Sequence, residues 1–531
     1  MDALWLTAFC LAYLAANRPF LDLACHQDAG WHSYWAAFRR RGVGLERQLN
    51  VLMGCARLGS KFLFVVWFAL FGRGDPDALA RKVALGLNML VALGIHAVLA
   101  PRLGSGAALA AAGLSLVMAT VPTFGIHYET AERTMRPLNL ALFAAALALL
   151  EHPDPVLLGF LVAAMIGLAL LFKITQLFEY LPLWLVLFFA EPSWAAFGAS
   201  CVGGLAALAG FAALLAGLGL LKAENLGILG YMATSRRGGR DAGAAQGPSL
   251  DQRIDAKLAQ GEFGRLGRLV VALARRSGTL SLLPRFFGMA VNARQFLPTV
   301  LGPVKGLMVL ILAGLWLEPD SAAKMLLAAW LGGAVSGLIL QARFLPLHFV
   351  PVLLPASIVA GLGLLRVDQS ILAGEVGGAL WLAAAAFMLL LDARWLAGRR
   401  RFPLDLRFWP QSQHAIIARN LLARQLAPVL AERAAPQDYI LVWGTLPQIY
   451  VLAERRCPVN WLTTNPILMN PILPNWRALL WQSLRETPPV LILEIDADLD
   501  MAELERSTGL AYGLEASGPG WRLLRRAEGA P

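Results

Sequence analysis

Charge is scarce in this chain. Asp, Glu, Lys and Arg make up 15% of its 531 residues, while 57% are hydrophobic. A soluble fold needs polar surface to cover its core, so this balance excludes an ordinary soluble protein and requires a membrane as solvent. Cysteine is sparse as well: Cys10, Cys25, Cys55, Cys201 and Cys457 share no metal-like spacing and imply no disulfide framework. The first apolar run lacks a basic start and a small-residue cleavage site, which excludes a signal peptide and leaves an anchor. Acids are outnumbered, 35 against 46 Lys and Arg, for a net charge of +11. The bases are dispersed among apolar segments, which argues against nucleic acid and for membrane lipids, whose headgroups or lipid phosphates are anionic.

What is present is a succession of apolar runs. Whole blocks such as 157–172 and 344–365 are apolar on every face, unlike the alternating strands of a membrane barrel, so the membrane part is helical. Candidate spans are 4–16, 83–99, 107–121, 138–150, 156–172, 174–190, 194–221, 301–317, 325–340, 344–365 and 376–391, about eleven in all. The run 62–72 is too short to cross comfortably and reads as an interfacial or re-entrant helix. Polar regions 17–82, 222–300 and the tail from about 399 interrupt the bundle, dividing the chain into a membrane domain, 1–398, and a soluble domain, 399–531. With the amino terminus inside, an odd number of spans puts these three regions on one outer face, together with 122–137 and the turns at Lys173 and 341–343. The Arg runs 39–41, 236–237 and 399–401 then lie outside, against a positive-inside tendency that is weak for long loops.

The tail has its own pattern. Helical spacing over 411–433 leads to a buried strand, Tyr439-Ile440-Leu441-Val442-Trp443-Gly444, and a helix over 446–455. A helix over 475–485, a strand over 490–495 and a short acidic helix near 501–506 follow, so strand and helix alternate in a small α/β domain. The tail carries no Gly-rich phosphate loop, no paired metal ligands and no nucleophile motif, and reads as a lid or docking module.

Chemistry concentrates in the outer regions. The loop His26-Gln27-Asp28-Ala29-Gly30-Trp31-His32-Ser33-Tyr34 puts an acid among aromatics where a span meets water. Asp28 is placed to take a proton from a hydroxyl; the plainer reading is a solvated aspartate beside anchoring aromatics. Glu129 and Glu132 lie in His127-Tyr128-Glu129-Thr130-Ala131-Glu132-Arg133, Lys173 ends the fifth span, and Arg343 and His348 flank the start of the tenth. Any one of these can be a snorkelling span-end charge. Together on one face, the carboxylates can activate a hydroxyl or hold a divalent cation, and the cations can neutralise a phosphate leaving group. That set suits group transfer from a lipid phosphate.

The chain resembles the multi-span GT-C glycosyltransferases that use polyprenyl-phosphate sugars, in particular the bacterial relatives of protein O-mannosyltransferases and of the lipid A aminoarabinose transferase. Five elements carry the likeness in order: Asp28-Ala29-Gly30-Trp31-His32-Ser33-Tyr34-Trp35-Ala36; Ala131-Glu132; Gly167-Leu168-Ala169-Leu170-Leu171-Phe172-Lys173; Arg343-Phe344-Leu345-Pro346-Leu347-His348 with Leu353-Leu354-Pro355; and Val442-Trp443-Gly444-Thr445-Leu446-Pro447-Gln448-Ile449-Tyr450. The family's usual second acid is Ala29 here, and its late acidic or His-Pro-Pro element is Gly54-Cys55-Ala56-Arg57-Leu58-Gly59, so a metal requirement stays open. The resemblance implies a GT-C fold in a bacterial inner membrane with the active site facing the periplasm. It also implies an inverting displacement with Asp28 as base, Glu129 or Glu132 orienting acceptor or sugar, and Lys173, Arg343 and His348 on the lipid phosphate. Tyr34 belongs to the same substrate-facing element. The acceptor is a hydroxyl of a lipid, glycan or protein. A transporter or flippase using Glu179 as an intramembrane ion or proton site is the alternative, although no inverted repeat or matched pair of broken helices supports it; a scaffold without catalysis is a third reading.

This topology puts Asp28, Arg237 and Trp443 in one compartment. Single cysteines near each should all react with a membrane-impermeant reagent in intact cells. Protection of the tail cysteine alongside labelling of the first-loop cysteine would show the span count wrong by an odd number.

Overall fold

A computed structural model describes residues 1–18, 28–38, 58–71, 75–120, 131–221, 304–318, 321–341, 349–397, 411–444, 446–459, 476–495 and 499–527, with isolated positions between 259 and 302. The membrane part comprises α1 (Asp2–Asn17), α2 (Asp28–Phe38), α3 (Leu58–Phe71), α4 (Pro76–Leu103), α5 (Ser105–Thr120), α6 (Ala131–Glu151), α7 (Pro155–Leu171), α8 (Leu177–Ala190), α9 (Trp194–Gly217), α10 (Lys305–Leu317), α11 (Ser321–Gln341), α12 (Val350–Leu372) and α13 (Val376–Ala397). Each of the apolar runs read as spans overlaps one of these helices. In hydrocarbon, a backbone has to satisfy its own hydrogen bonds, and a helix does so locally. By length and composition α4, α6, α9, α11, α12 and α13 are able to cross a membrane; α1, α3, α5, α7, α8 and α10 are shorter apolar helices. Residues 28–38, part of the segment read as a loop, form the helix α2.

Local chemistry sets several ends. Asp154 accepts from the amides of Val156 (2.7 Å) and Leu157 (3.1 Å), ahead of Pro155 at the start of α7. Ser193 caps α9 through the Ala196 amide. The start of α10 is capped from another helix, where buried Asp392 of α13 accepts from Lys305 N (3.1 Å) and Gly306 N (2.8 Å).

Small residues let the helices meet backbone to backbone, as expected where lipid removes the hydrophobic drive between helices. A β-carbon at Gly203 of α9 would strike the Gly159 carbonyl of α7. The α10–α12 crossing is reciprocal: Gly314 faces the Val359 carbonyl, and Gly363 the Leu310 carbonyl. Gly361 seats α12 on Ala111 of α5, and Gly333 seats α11 on the Phe178 and Glu179 carbonyls of α8. One end of the bundle is tied by Arg102–Glu151 (2.7 Å), by Arg366–Glu318 (3.1 Å) and by Asp2, which accepts from Ser105 and meets His96. The other end carries α2 and α3 and is called the loop end below.

The C-terminal domain contains α14 (Gln411–Arg433), β1 (Ile440–Trp443), α15 (Gln448–Leu452), α16 (Trp476–Glu486), β2 (Leu491–Ile495), α17 (Met501–Thr508), β3 (Tyr512–Gly518) and β4 (Trp521–Arg526). The sheet order is β1-β2-β4-β3. β1 pairs parallel to β2 with Ile440 opposite Leu491, while β4 runs antiparallel to both β2 and β3. The sequence pattern yields the α/β half; the hairpin β3–β4, turning at Gly518-Pro519-Gly520, adds a second half. The expected boundary at 398/399 lies outside the described residues.

Two cores meet at α2. Tyr34 and Phe38 are buried in the core of the C-terminal domain with Leu441, Trp443, Ile449 and Tyr450. Ala36 and Ala37 of the same helix pack against Phe64, Trp67 and Leu79 of α3 and α4. Asp75, just before α4, pairs with Arg424 of α14 at 2.5 Å.

The glycine crossings generate a stability prediction. Gly314→Leu should cost about 1–3 kcal/mol by forcing α10 off α12, read as a lowered thermal midpoint in detergent. Gly86→Ala, where a β-carbon meets nothing within 4 Å, should leave the midpoint unchanged or raise it. Equal midpoints for Gly314→Leu and the parent would contradict the crossing.

Candidate functional site

The loop end assembles from α2, α3, the start of α4, the start of α6 and the break after α7. Asp28 is the first residue of α2 and Glu132 the second of α6, positions where an acid is favoured by the helix dipole. The side chains of Asp28 and Glu132, and the whole of Glu129, Arg343 and His348, lie outside the described residues. Among the described residues no three His, Cys, Asp or Glu gather as a metal site; the acids read as able to hold a divalent cation have side chains outside the described residues.

Lys173 is half-buried and extended (φ −162°, ψ 110°) between α7 and a 3-10 turn, Ile174–Gln176. Its carbonyl accepts from the Gln176 amide at 2.9 Å, which fixes the break. α3 comes to the same corner. A β-carbon at Gly59 would lie 2.5 Å from the Phe172 ring, so the turn bearing Ser60 and Lys61 packs on the residue before Lys173.

Among the buried cations not singled out from sequence, two lie near the starts of α3 and α4. Lys61 of α3 is 2% exposed and Arg81 of α4 is 0% exposed. The signal was one base, or two in a row, inside an otherwise apolar stretch, Leu58-Gly59-Ser60-Lys61-Phe62-Leu63 and Leu79-Ala80-Arg81-Lys82-Val83, a pattern that by itself fits snorkelling. Burial removes that reading, because a snorkelled head stays in water. The Ser60 hydroxyl is buried beside Lys61 and has no hydrogen-bond partner.

Behind these groups, α6 is a polar spine. Arg136 donates to Asn88 Oδ1 (2.6 Å) on α4 and to Ser115 Oγ (2.8 Å) on α5; Asn88 in turn donates to the Tyr13 hydroxyl (2.7 Å) on α1. One turn on, Asn139 donates to Glu179 Oε1 (3.1 Å) and accepts from the Tyr180 hydroxyl (2.6 Å). Trp330 of α11 donates to the same Glu179 oxygen at 2.7 Å, and Phe143 stacks on its ring. Glu179 thus ties α8 to α6 and α11, with its second oxygen unpartnered.

Tyr34 faces the C-terminal domain. It is 1% exposed within the C-terminal domain core. Its hydroxyl accepts the Cys457 amide at 2.9 Å and its ring meets Tyr450 edge-on at 5.8 Å. Burial holds the Tyr34 hydroxyl well above its usual titration range and pushes the neighbouring Cys457 thiol up to about 12, so neither ionises near neutral pH.

Neither a protein-family model nor a curated protein matches the chain by sequence. Solved structures do. The chain is similar to the crystal structure of ArnT from Cupriavidus metallidurans bound to undecaprenyl phosphate, with a TM-score of 0.58 and 14% identity over 99% of this chain and 98% of that one. The apo state of the same protein matches with a TM-score of 0.53 and 14% identity, over 98% and 97% of the two chains. The shared fold runs from end to end, membrane bundle and C-terminal domain included, and it is the GT-C fold expected from the sequence motifs.

Lys61 tests whether the buried charge works on an anion. Lys61→Met keeps the apolar stem and removes the charge. An anionic lipid phosphate held at the loop end would then bind the detergent-solubilised protein roughly ten- to a hundredfold more weakly, the value of a charge-assisted hydrogen bond. Unchanged affinity would leave Lys61 a structural cation.

Proposed function

We propose that the chain is an integral membrane glycosyltransferase, a hexosyl- or pentosyltransferase, that moves a sugar from a polyprenyl phosphate to a hydroxyl acceptor. The reading places it in a bacterial inner membrane with the reaction on the periplasmic face. The observation that supports it most is the end-to-end likeness to the ArnT structure that holds undecaprenyl phosphate. The buried and half-buried cations Lys61, Arg81 and Lys173 at the loop end agree with an anionic ligand there.

The chemistry is a single displacement. The acceptor oxygen attacks the anomeric carbon opposite the phosphate while Asp28 takes the hydroxyl proton. The bond from carbon to phosphate oxygen breaks, polyprenyl phosphate leaves with the electron pair, and the anomeric configuration inverts. Glu129 or Glu132 orients acceptor or sugar. Lys173, Arg343 and His348, joined by Lys61 and Arg81, meet the phosphate and stabilise the charge that grows on it. Tyr34 acts on this site only through the helix it anchors.

Asp28→Asn should abolish transfer without loss of expression, with a fall of about 100- to 10,000-fold. Purified protein is incubated with a panel of polyprenyl-phosphate sugars, and release of free lipid phosphate is followed. A change of less than tenfold would remove Asp28 as base. Translocation of the intact donor without release would favour a flippase.

A further inference from the structure

The acid that opens α2 shares its first turn with a residue that touches the C-terminal domain. At Gly30 a β-carbon would lie 2.6 Å from the Cα and 2.8 Å from the Cβ of Gln448, closer than real side chains approach, so the two backbones are in contact. Gly30, Tyr34 and Phe38 recur every four residues and form one stripe along α2. All three are buried, and the stripe's other members lie in the core of the domain.

The far side of this contact is rigidly built. β1 ends at Trp443, and Gly444 turns the chain with φ +155°, where a β-carbon would sit 2.7 Å from the Ile495 carbonyl oxygen. That turn delivers Gln448 as the first residue of α15. The Tyr450 hydroxyl accepts the Val442 amide at 2.9 Å, which locks α15 back onto β1. Gln448 itself is 1% exposed. A chain of contacts therefore runs from the sheet through α15 and Gln448 to the turn of Asp28.

We infer that the C-terminal domain is a fixed wall of the active site rather than a lid, and that Gln448 is a positioning residue that holds the first turn of α2 where Asp28 can reach the acceptor hydroxyl. The inference rests on the reading of Asp28 as the base. A wall of this kind acts on the chemical step and not on capture of the lipid phosphate, because misplacing a base lowers turnover while leaving the cations untouched.

The test uses the full-length protein in detergent with three variants. Gly30→Ala pushes the first turn off Gln448; Tyr34→Phe removes only the acceptor of the Cys457 amide; Asp28→Asn is the reference. Turnover over a range of pH is measured with a polyprenyl-phosphate sugar, and binding with undecaprenyl phosphate alone. Gly30→Ala should lower kcat at least tenfold and displace the acid limb of its pH profile, with undecaprenyl phosphate affinity within twofold of the parent. Tyr34→Phe should act in the same direction more weakly, and decides the matter if Gly30→Ala does not fold. Parental kcat and pH profile in both variants, with Asp28→Asn inactive, overturns the wall and leaves the base in place. Loss of undecaprenyl phosphate affinity at unchanged kcat overturns positioning in favour of binding. An active Asp28→Asn overturns the base, and the wall with it.

Discussion

The structure depends on α2 belonging to two hydrophobic cores at once. An 11-residue helix is marginal in water on its own. Here Tyr34 and Phe38 are buried on the domain side, each contributing about 1.5–3 kcal/mol of burial, and Ala36 and Ala37 close against Phe64, Trp67 and Leu79 on the membrane side. The alanines matter by their size, because they let the helix lie close to α3 and α4 while the aromatics reach the other way. Asp75–Arg424 adds a polar tie at the same junction. Whatever happens at the first turn of α2 is therefore framed by both halves of the chain.

The second constraint is the treatment of charge inside an apolar bundle. A buried ionisable group is costly unless it is paired or hydrogen-bonded. Arg136 meets the cost with Asn88 and Ser115, and Glu179 with Asn139 and Trp330. These bonds also join helices that apolar packing alone would leave free to slide, since side chains and lipid tails are equally apolar. The glycine crossings and the polar spine of α6 together give the loop end a firm base.

Much of the helical fold was legible because each span is a contiguous apolar run, and such runs need no partner to be recognised. The α/β pattern of the tail was legible up to α17 for the same local reason, while β3 of the β3–β4 hairpin is largely exposed, Leu514 included, and broken by a bulge between Leu514 and Ala516, so it carries no clean alternation. The site was less legible. Lys61 and Arg81 look like snorkelling bases until their burial is known. Tyr34 sits next to the family-like acid in sequence, but its partner Cys457 is 423 residues away, and no local pattern encodes that pairing. The Gly30 position matches a motif glycine, yet its physical reason, the backbone of Gln448, becomes visible only in three dimensions.

Hydrogen exchange of the α2 amides tests the shared-core account most directly. In the full-length protein, residues 32–38 should be protected like β1 and β2, and a core truncation in the sheet, Leu493→Ala, should speed exchange in α2 and β1 together. Fast exchange of α2 in the parent, or α2 protection unchanged while that of β1 falls, would contradict a helix held by both cores.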